Sequence, residues 1–186
     1  LWRVGRGGSK DNELKRFTFV SLPGYVDDAA SNGEKLYTIA VNSEAYYLIA
    51  LDANTGKVIW KTAISQIPTG SNNPRNPFGY ANSETFMGTP PIYYNGRVFA
   101  ATNAGIIAAV DASTGQPVWA YQYTSKLPYT RRSIRSNTAL ILSQVNPLII
   151  TQGQLLTLPA DGSEVMGLST MDGSLLWKTS SNGISQ

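Results

Sequence analysis

Three guanidinium groups fall within five residues at Arg131, Arg132 and Arg135, just after Tyr129, and no acid stands near them in sequence. Planar forks so close together suit bidentate binding of a carboxylate, a phosphate or an acidic polysaccharide. The alternative is a solvated loop, or arginines paired with acids from elsewhere in the fold. A second stretch, Pro68 to Asn82, is dense in Asn, Pro and Gly and carries Arg75, Phe78 and Tyr80. Its composition predicts a turn-rich connection able to bind through those three side chains, against the simpler reading of an elaborated surface loop.

Other chemistry is narrowed by what the chain lacks. With no cysteine and no histidine, disulfides, thiolate metal sites, cysteine nucleophiles and His-dependent triads are excluded from these 186 residues. Gly5 to Lys10 lacks the spacing of a phosphate loop and reads as a linker. Asp52-x-Asn54-x-Gly56 begins like a calcium loop, but no bidentate Glu follows at the required distance, and a turn explains it better. Adjacent Asp27 and Asp28 sit on a strand candidate, whose alternation sends neighbours to opposite faces, so they make a poor catalytic pair. No catalytic and no metal-binding residues are assigned. The net charge of +3 is too mild, and too unpatterned, for a nucleic-acid partner. No run is long or apolar enough for a transmembrane helix.

The framework between those loops is written in the sequence as a repeat. Ala50-Leu51-Asp52-Ala53-Asn54-Thr55-Gly56-Lys57-Val58-Ile59-Trp60 returns as Ala109 to Trp119, and more weakly as Gly167 to Trp177, where Ser169 and Asp172 replace the Asp and Thr and Gly173 is kept. All four tryptophans, Trp2, Trp60, Trp119 and Trp177, fall 58, 59 and 58 residues apart. A fixed period of this length signals a solenoid, propeller or array. Within each copy, four short β-type runs are joined by Gly-containing turns, as in Pro91–Tyr94, Arg97–Thr102, Ile106–Val110 and Val118–Tyr121. Runs such as Ile106 to Val110 are apolar at every position, as a sheet covered on both faces requires. The tyrosines in these runs, Tyr46, Tyr47, Tyr93, Tyr94, Tyr121 and Tyr123, read as packing groups.

The pattern small-x-Asp-x-x-Thr-Gly-x-x-x-Trp resembles the tryptophan-docking motif of the PQQ-like (pyrroloquinoline quinone type) β-propeller repeat. Quinoprotein alcohol dehydrogenases share it with non-catalytic, BamB-like propellers, and the present pattern is closer to the latter branch. The resemblance implies an all-β fold, a partial β-propeller of four-stranded antiparallel blades. Blades are expected near 20–64, 86–124 and 145–180, with 1–19 the end of a preceding blade plus a linker. It also implies that Trp60, Trp119 and Trp177 dock blade on blade, that Ala50, Ala109 and Gly167 make room for them, and that Asp52, Asp111, Gly56, Gly115 and Gly173 build the turns. Three blades do not close a ring, so the chain is expected to be a piece of a longer polypeptide, with its remaining blades as partners.

On that reading the function expected is a non-catalytic scaffold or binding module. It is extracytoplasmic, needs no cofactor, and presents inter-blade loops to a protein or glycan partner. The alternatives are a fragment of a PQQ-dependent dehydrogenase, which would need PQQ and calcium, and the sensor domain of a membrane-anchored signalling protein. The dehydrogenase reading is disfavoured because the tryptophans belong to the repeat and no vicinal cysteine pair exists.

Overall fold

A computed structural model of the chain describes residues 14–28, 33–42, 44–66, 89–102, 104–125, 146–159 and 161–180. Apart from a short 3-10 helix at Leu14–Arg16, the described elements are strands: β1 (Thr18–Phe19), β2 (Gly24–Asp28), β3 (Gly33–Val41), β4 (Ala45–Asp52), β5 (Val58–Gln66), β6 (Ile92–Tyr94), β7 (Arg97–Ala101), β8 (Ile106–Asp111), β9 (Pro117–Gln122), β10 (Ile149–Thr151), β11 (Gln154–Thr157), β12 (Glu164–Ser169) and β13 (Leu175–Ser180). They form three antiparallel sheets, one per repeat, in the simple order of an up-and-down blade.

Local chemistry sets these boundaries. Asn95–Gly96 and Gln152–Gly153 close two-residue hairpins with both φ positive, at 49° and 77° and at 49° and 74°, the mirror-image turn that matches strand twist. At the outermost hairpin of each blade the turn is longer, and its backbone hydrogen bond is the same three times over. The Gly56, Gly115 and Gly173 amides donate to the Asp52, Asp111 and Ser169 carbonyls at 2.8, 2.9 and 2.9 Å. A register shift follows in each outer strand, at Ala50/Leu51, Ala109/Val110 and Gly167/Leu168, so the bulge belongs to the repeat.

Period-two alternation divides the middle sheet between two cores. Val98, Ala100 and Val110 of blade 2 are buried with Tyr37, Ile39, Leu48, Ala50 and Trp60 of blade 1. Phe99, Ala101, Ile107 and Ala109, on the opposite face, are buried with Leu148, Leu155, Met166 and Leu168 of blade 3. A sheet apolar on both faces is therefore covered on both, as the composition of β7 and β8 required.

Blade 1 departs from the expected four strands. Its innermost strand comes in two pieces, β1 and β2, which both pair with β3. Between the pairs Phe19↔Ala40 and Gly24↔Tyr37, the four residues Val20 to Pro23 oppose only Thr38 and Ile39. Pro23 has no amide to donate and Leu22 bulges into solvent, while the Ser21 hydroxyl bridges the gap by accepting from the Ile39 amide at 2.8 Å. Just before it, Leu14 and Phe17 are buried in a third cluster with Ala40, Ile49 and Leu51 on the other face of blade 1, and Phe17 meets Tyr47 edge-on at 5.1 Å.

Near the axis the inner strands of blades 1 and 2 approach so closely that a Cβ on Gly24 would fall onto the carbonyl of Pro91. Backbone cannot rotate away as a side chain can. Gly24→Ala is expected to destabilise the chain by about 1–3 kcal/mol through overpacking, read as a lower urea midpoint with unchanged slope.

Candidate functional site

The turns come first, because everything at the blade junctions is mounted on them. One oxygen of Asp111 accepts from the Ser113 amide (3.0 Å) and hydroxyl (2.7 Å) and from the Thr114 amide (2.8 Å) and hydroxyl (2.9 Å). These donors, the Ser113 hydroxyl foremost, hold its carboxyl down to about 2. Asp52 does the same with Asn54 and Thr55, and the Thr55 hydroxyl is the main reason its pKa lies below the ordinary value. In the third copy the carboxylate has moved along the turn: Asp172 accepts from the Ser174 amide and hydroxyl at 3.1 and 2.8 Å and is also held low, first by Ser169. These aspartates close their own turns, and among the described residues no group of three acids gathers as a metal site would need.

A depressed native pKa stabilises the fold above the ordinary aspartate value of about 3.9, and the benefit is lost as pH falls through the native value. Melting temperature is accordingly expected to drop between about pH 4 and about pH 2, the span set by Asp111. Asp111→Asn should shrink that drop, as thermal melts across the range would measure.

On the turns of blades 2 and 3 rests the indole of the preceding blade. Trp60, from β5, lies over Gly115 so closely that a Cβ there would stand 2.7 Å from the ring, and its Nε1 donates to the Ala112 carbonyl at 3.1 Å. The Thr62 hydroxyl donates to the Gly115 carbonyl. Trp119 repeats the arrangement on blade 3, with its ring over Gly173 at 2.6 Å from a virtual Cβ and Nε1 donating to the Thr170 carbonyl at 3.2 Å. Behind each ring the strand partner is small: Ala50↔Trp60, Ala109↔Trp119 and Gly167↔Trp177. Trp177 differs in turning to its own blade, where Nε1 donates to Gln154 Oε1 at 3.0 Å; it is 40% exposed against 9% for Trp60.

Two polar contacts at the junction of blades 2 and 3 had no signal in local spacing. Arg97 Nη1 donates to the carbonyls of Thr170 and Met171 at 2.6 and 2.7 Å, so Thr170 O receives both the guanidinium and the Trp119 indole. At the opposite end of the sheets Asp161, 3% exposed, accepts from the Tyr123 hydroxyl at 2.5 Å and from the Gly105 amide at 3.1 Å. Burial, and then the Asp161 charge, push the Tyr123 hydroxyl far above its ordinary pKa. The one hint available was register, since Arg97 pairs across the strands with the motif aspartate Asp111.

That Asp161 end is also where the blades connect. Gln66 pairs with Ala45 and Gln122 with Ile106. The Thr89 hydroxyl donates to the Asn146 backbone carbonyl at 3.2 Å, and Asn146 Nδ2 donates to the Leu158 carbonyl at 2.9 Å. The residues flanking segments 67–88 and 126–145 therefore share one end of the stack, opposite the indole-bearing turns. Arg75, Phe78, Tyr80, Tyr129, Arg131, Arg132 and Arg135 belong to those segments and lie outside the described residues. No helix among the described residues is long and apolar enough to cross a membrane.

A family model described as outer membrane protein assembly factor BamB matches residues 1–184. Among solved structures, BamB from Moraxella catarrhalis is 23% identical with a TM-score of 0.52, over 88% of this chain and 38% of that one. Quinohemoprotein alcohol dehydrogenase from Comamonas testosteroni is 15% identical with a TM-score of 0.52, over 88% of this chain and 21% of that one. At these identities the likeness speaks for the fold. The present chain spans well under half the length of either structure, and no curated protein sequence matches it.

Proposed function

The chain belongs to the outer membrane protein assembly factor BamB family of PQQ-like β-propeller repeats, and from that premise we propose that it is a non-catalytic scaffold segment of a longer extracytoplasmic protein. In this reading Trp60 and Trp119 dock each blade on the next, and the stack presents its inter-blade connections to a protein or glycan partner. Arg131, Arg132 and Arg135, with Tyr129, Arg75, Phe78 and Tyr80, supply the contacts. Trp177 offers the same surface to a further blade.

The observation that supports the reading is that the flanking residues Gln66, Thr89, Gln122 and Asn146 lie at one end of a stack whose sheets are each buried against the next. A rigid platform lowers the entropy lost when loops bind. A PQQ site fits the described residues poorly. Trp60 and Trp119 donate to the neighbouring blade and Trp177 to Gln154, while the turn aspartates accept from their own turns.

The test is cross-linking in the cell envelope with the full chain, comparing it with an Arg131→Ala/Arg132→Ala/Arg135→Ala variant and an Arg75→Ala/Phe78→Ala/Tyr80→Ala variant. Partner recovery should fall in at least one while melting temperature holds. Undiminished recovery in both would remove the loop-binding reading. Cofactor absorbance and dye-linked alcohol oxidation after addition of PQQ and calcium would replace it with the dehydrogenase.

A further inference from the structure

The contacts that repeat cannot tell one neighbour from another. Gly115 and Gly173 occupy the same place in the turn with φ of 75° and 74°, and the carbonyls of Ala112 and Thr170 receive the two indoles at 3.1 and 3.2 Å. By these contacts alone Trp60 would seat as well on blade 3 as on blade 2, or on a blade of another copy. Arrays of similar units misassemble in just this way, and discrimination requires a feature that penalises the wrong pairing.

Arg97 and the Tyr123–Asp161 pair are such features, because blade 1 has different residues in their places. Where Arg97 pairs with Asp111, Lys35 pairs with Asp52. Four residues after Trp60 stands Ile64, whereas four after Trp119 stands Tyr123. Ile64 and Ala104 border the apolar cluster between blades 1 and 2, and the blade 2 turn Thr102 to Gly105 contains no acid. The blade 2 turn thus offers Ile64 no carboxylate, whereas the blade 3 turn offers Tyr123 one.

We propose that Arg97, Tyr123 and Asp161 are the specificity determinants of blade order, admitting blade 3 beside blade 2 and rejecting other sheets that carry the same turn. A blade 1 sheet set against blade 3 brings Ile64 toward Asp161, burying a carboxylate without its hydroxyl donor. It also sets Lys35, whose side chain is shorter than that of arginine, in the place from which Arg97 reaches the Thr170 and Met171 carbonyls. The penalty falls on the wrong neighbour alone, since in the native pairing each group is satisfied. This role concerns assembly and is independent of what the loops bind.

The experiment co-refolds two differently tagged copies of the full chain from urea and measures how much of one tag is captured with the other. The variant Arg97→Lys/Tyr123→Ile/Asp161→Ala makes the second junction resemble the first. Its reference is Ile107→Val, which thins the same buried cluster without touching the polar contacts. Co-capture is expected to rise at least about threefold over that reference, and about twofold for Tyr123→Ile alone, because exchanged blades are no longer rejected. Loss of stability by itself moves both variants and the reference together. Co-capture equal to the reference in the triple and the single variant overturns the proposal.

Discussion

Trp60→Ala is expected to lower the unfolding free energy by about 3–5 kcal/mol, the range for deleting a large buried aromatic, whereas Trp177→Ala should lower it by less than about 1 kcal/mol. The two tryptophans hold the same place in the repeat, so only their surroundings separate them. Trp60 is 9% exposed. Its ring lies over Gly115 and 5.8 Å from the Tyr37 ring, and removing it also leaves the Ala112 carbonyl without the indole N–H at a buried site. Trp177 is 40% exposed, and its N–H meets a Gln side chain that water can serve instead. Urea unfolding followed by circular dichroism measures both. Equal losses would mean that the indole acts within its own sheet rather than between sheets.

Gly115→Ala attacks the same junction from the other side, and a loss of about 2–5 kcal/mol is expected. Roughly 1–2 kcal/mol comes from forcing an L side chain into the left-handed region, at the φ of 75° held here. About 1–3 kcal/mol more comes from overpacking, since the new Cβ would stand 2.7 Å from the Trp60 ring. The two contributions can be separated. Gly96 has φ of 77° with nothing within 4 Å of a virtual Cβ, so Gly96→Ala carries only the backbone part. Denaturant midpoints for the pair should differ by the packing contribution, and identical midpoints would show that the indole yields without cost.

Much of the fold was legible because its determinants are local and repeated. Asn95–Gly96 and the Asp111 to Gly115 run specify turns within a few residues, and the apolar runs between them specify strands covered on both faces. What escaped notice was either irregular or distant in sequence. The broken inner strand of blade 1 came from two surplus residues around Pro23 that no turn signature marks. Leu14 and Phe17 are too few to show a period in sequence, yet they fill a core. Arg97 and Thr170 stand 73 positions apart, Tyr123 and Asp161 38. Such pairs obey no spacing rule, and Tyr123 looked like one more strand aromatic. The binding candidates rest on composition alone and belong to segments 67–88 and 126–145, outside the described residues.

The indole contact has a direction. Blade 2 gives a ring forward, Trp119 over Gly173, and receives one, Trp60, on its own turn at Gly115, so the surface that gives and the surface that receives are not the same patch. A twofold axis cannot relate two such units, because that symmetry requires a self-complementary patch. Addition is head to tail. The fate of a longer run then rests on the small rotation between successive sheets, which either brings the last giver round to the first receiver as a closed circle or winds the units into an open helix.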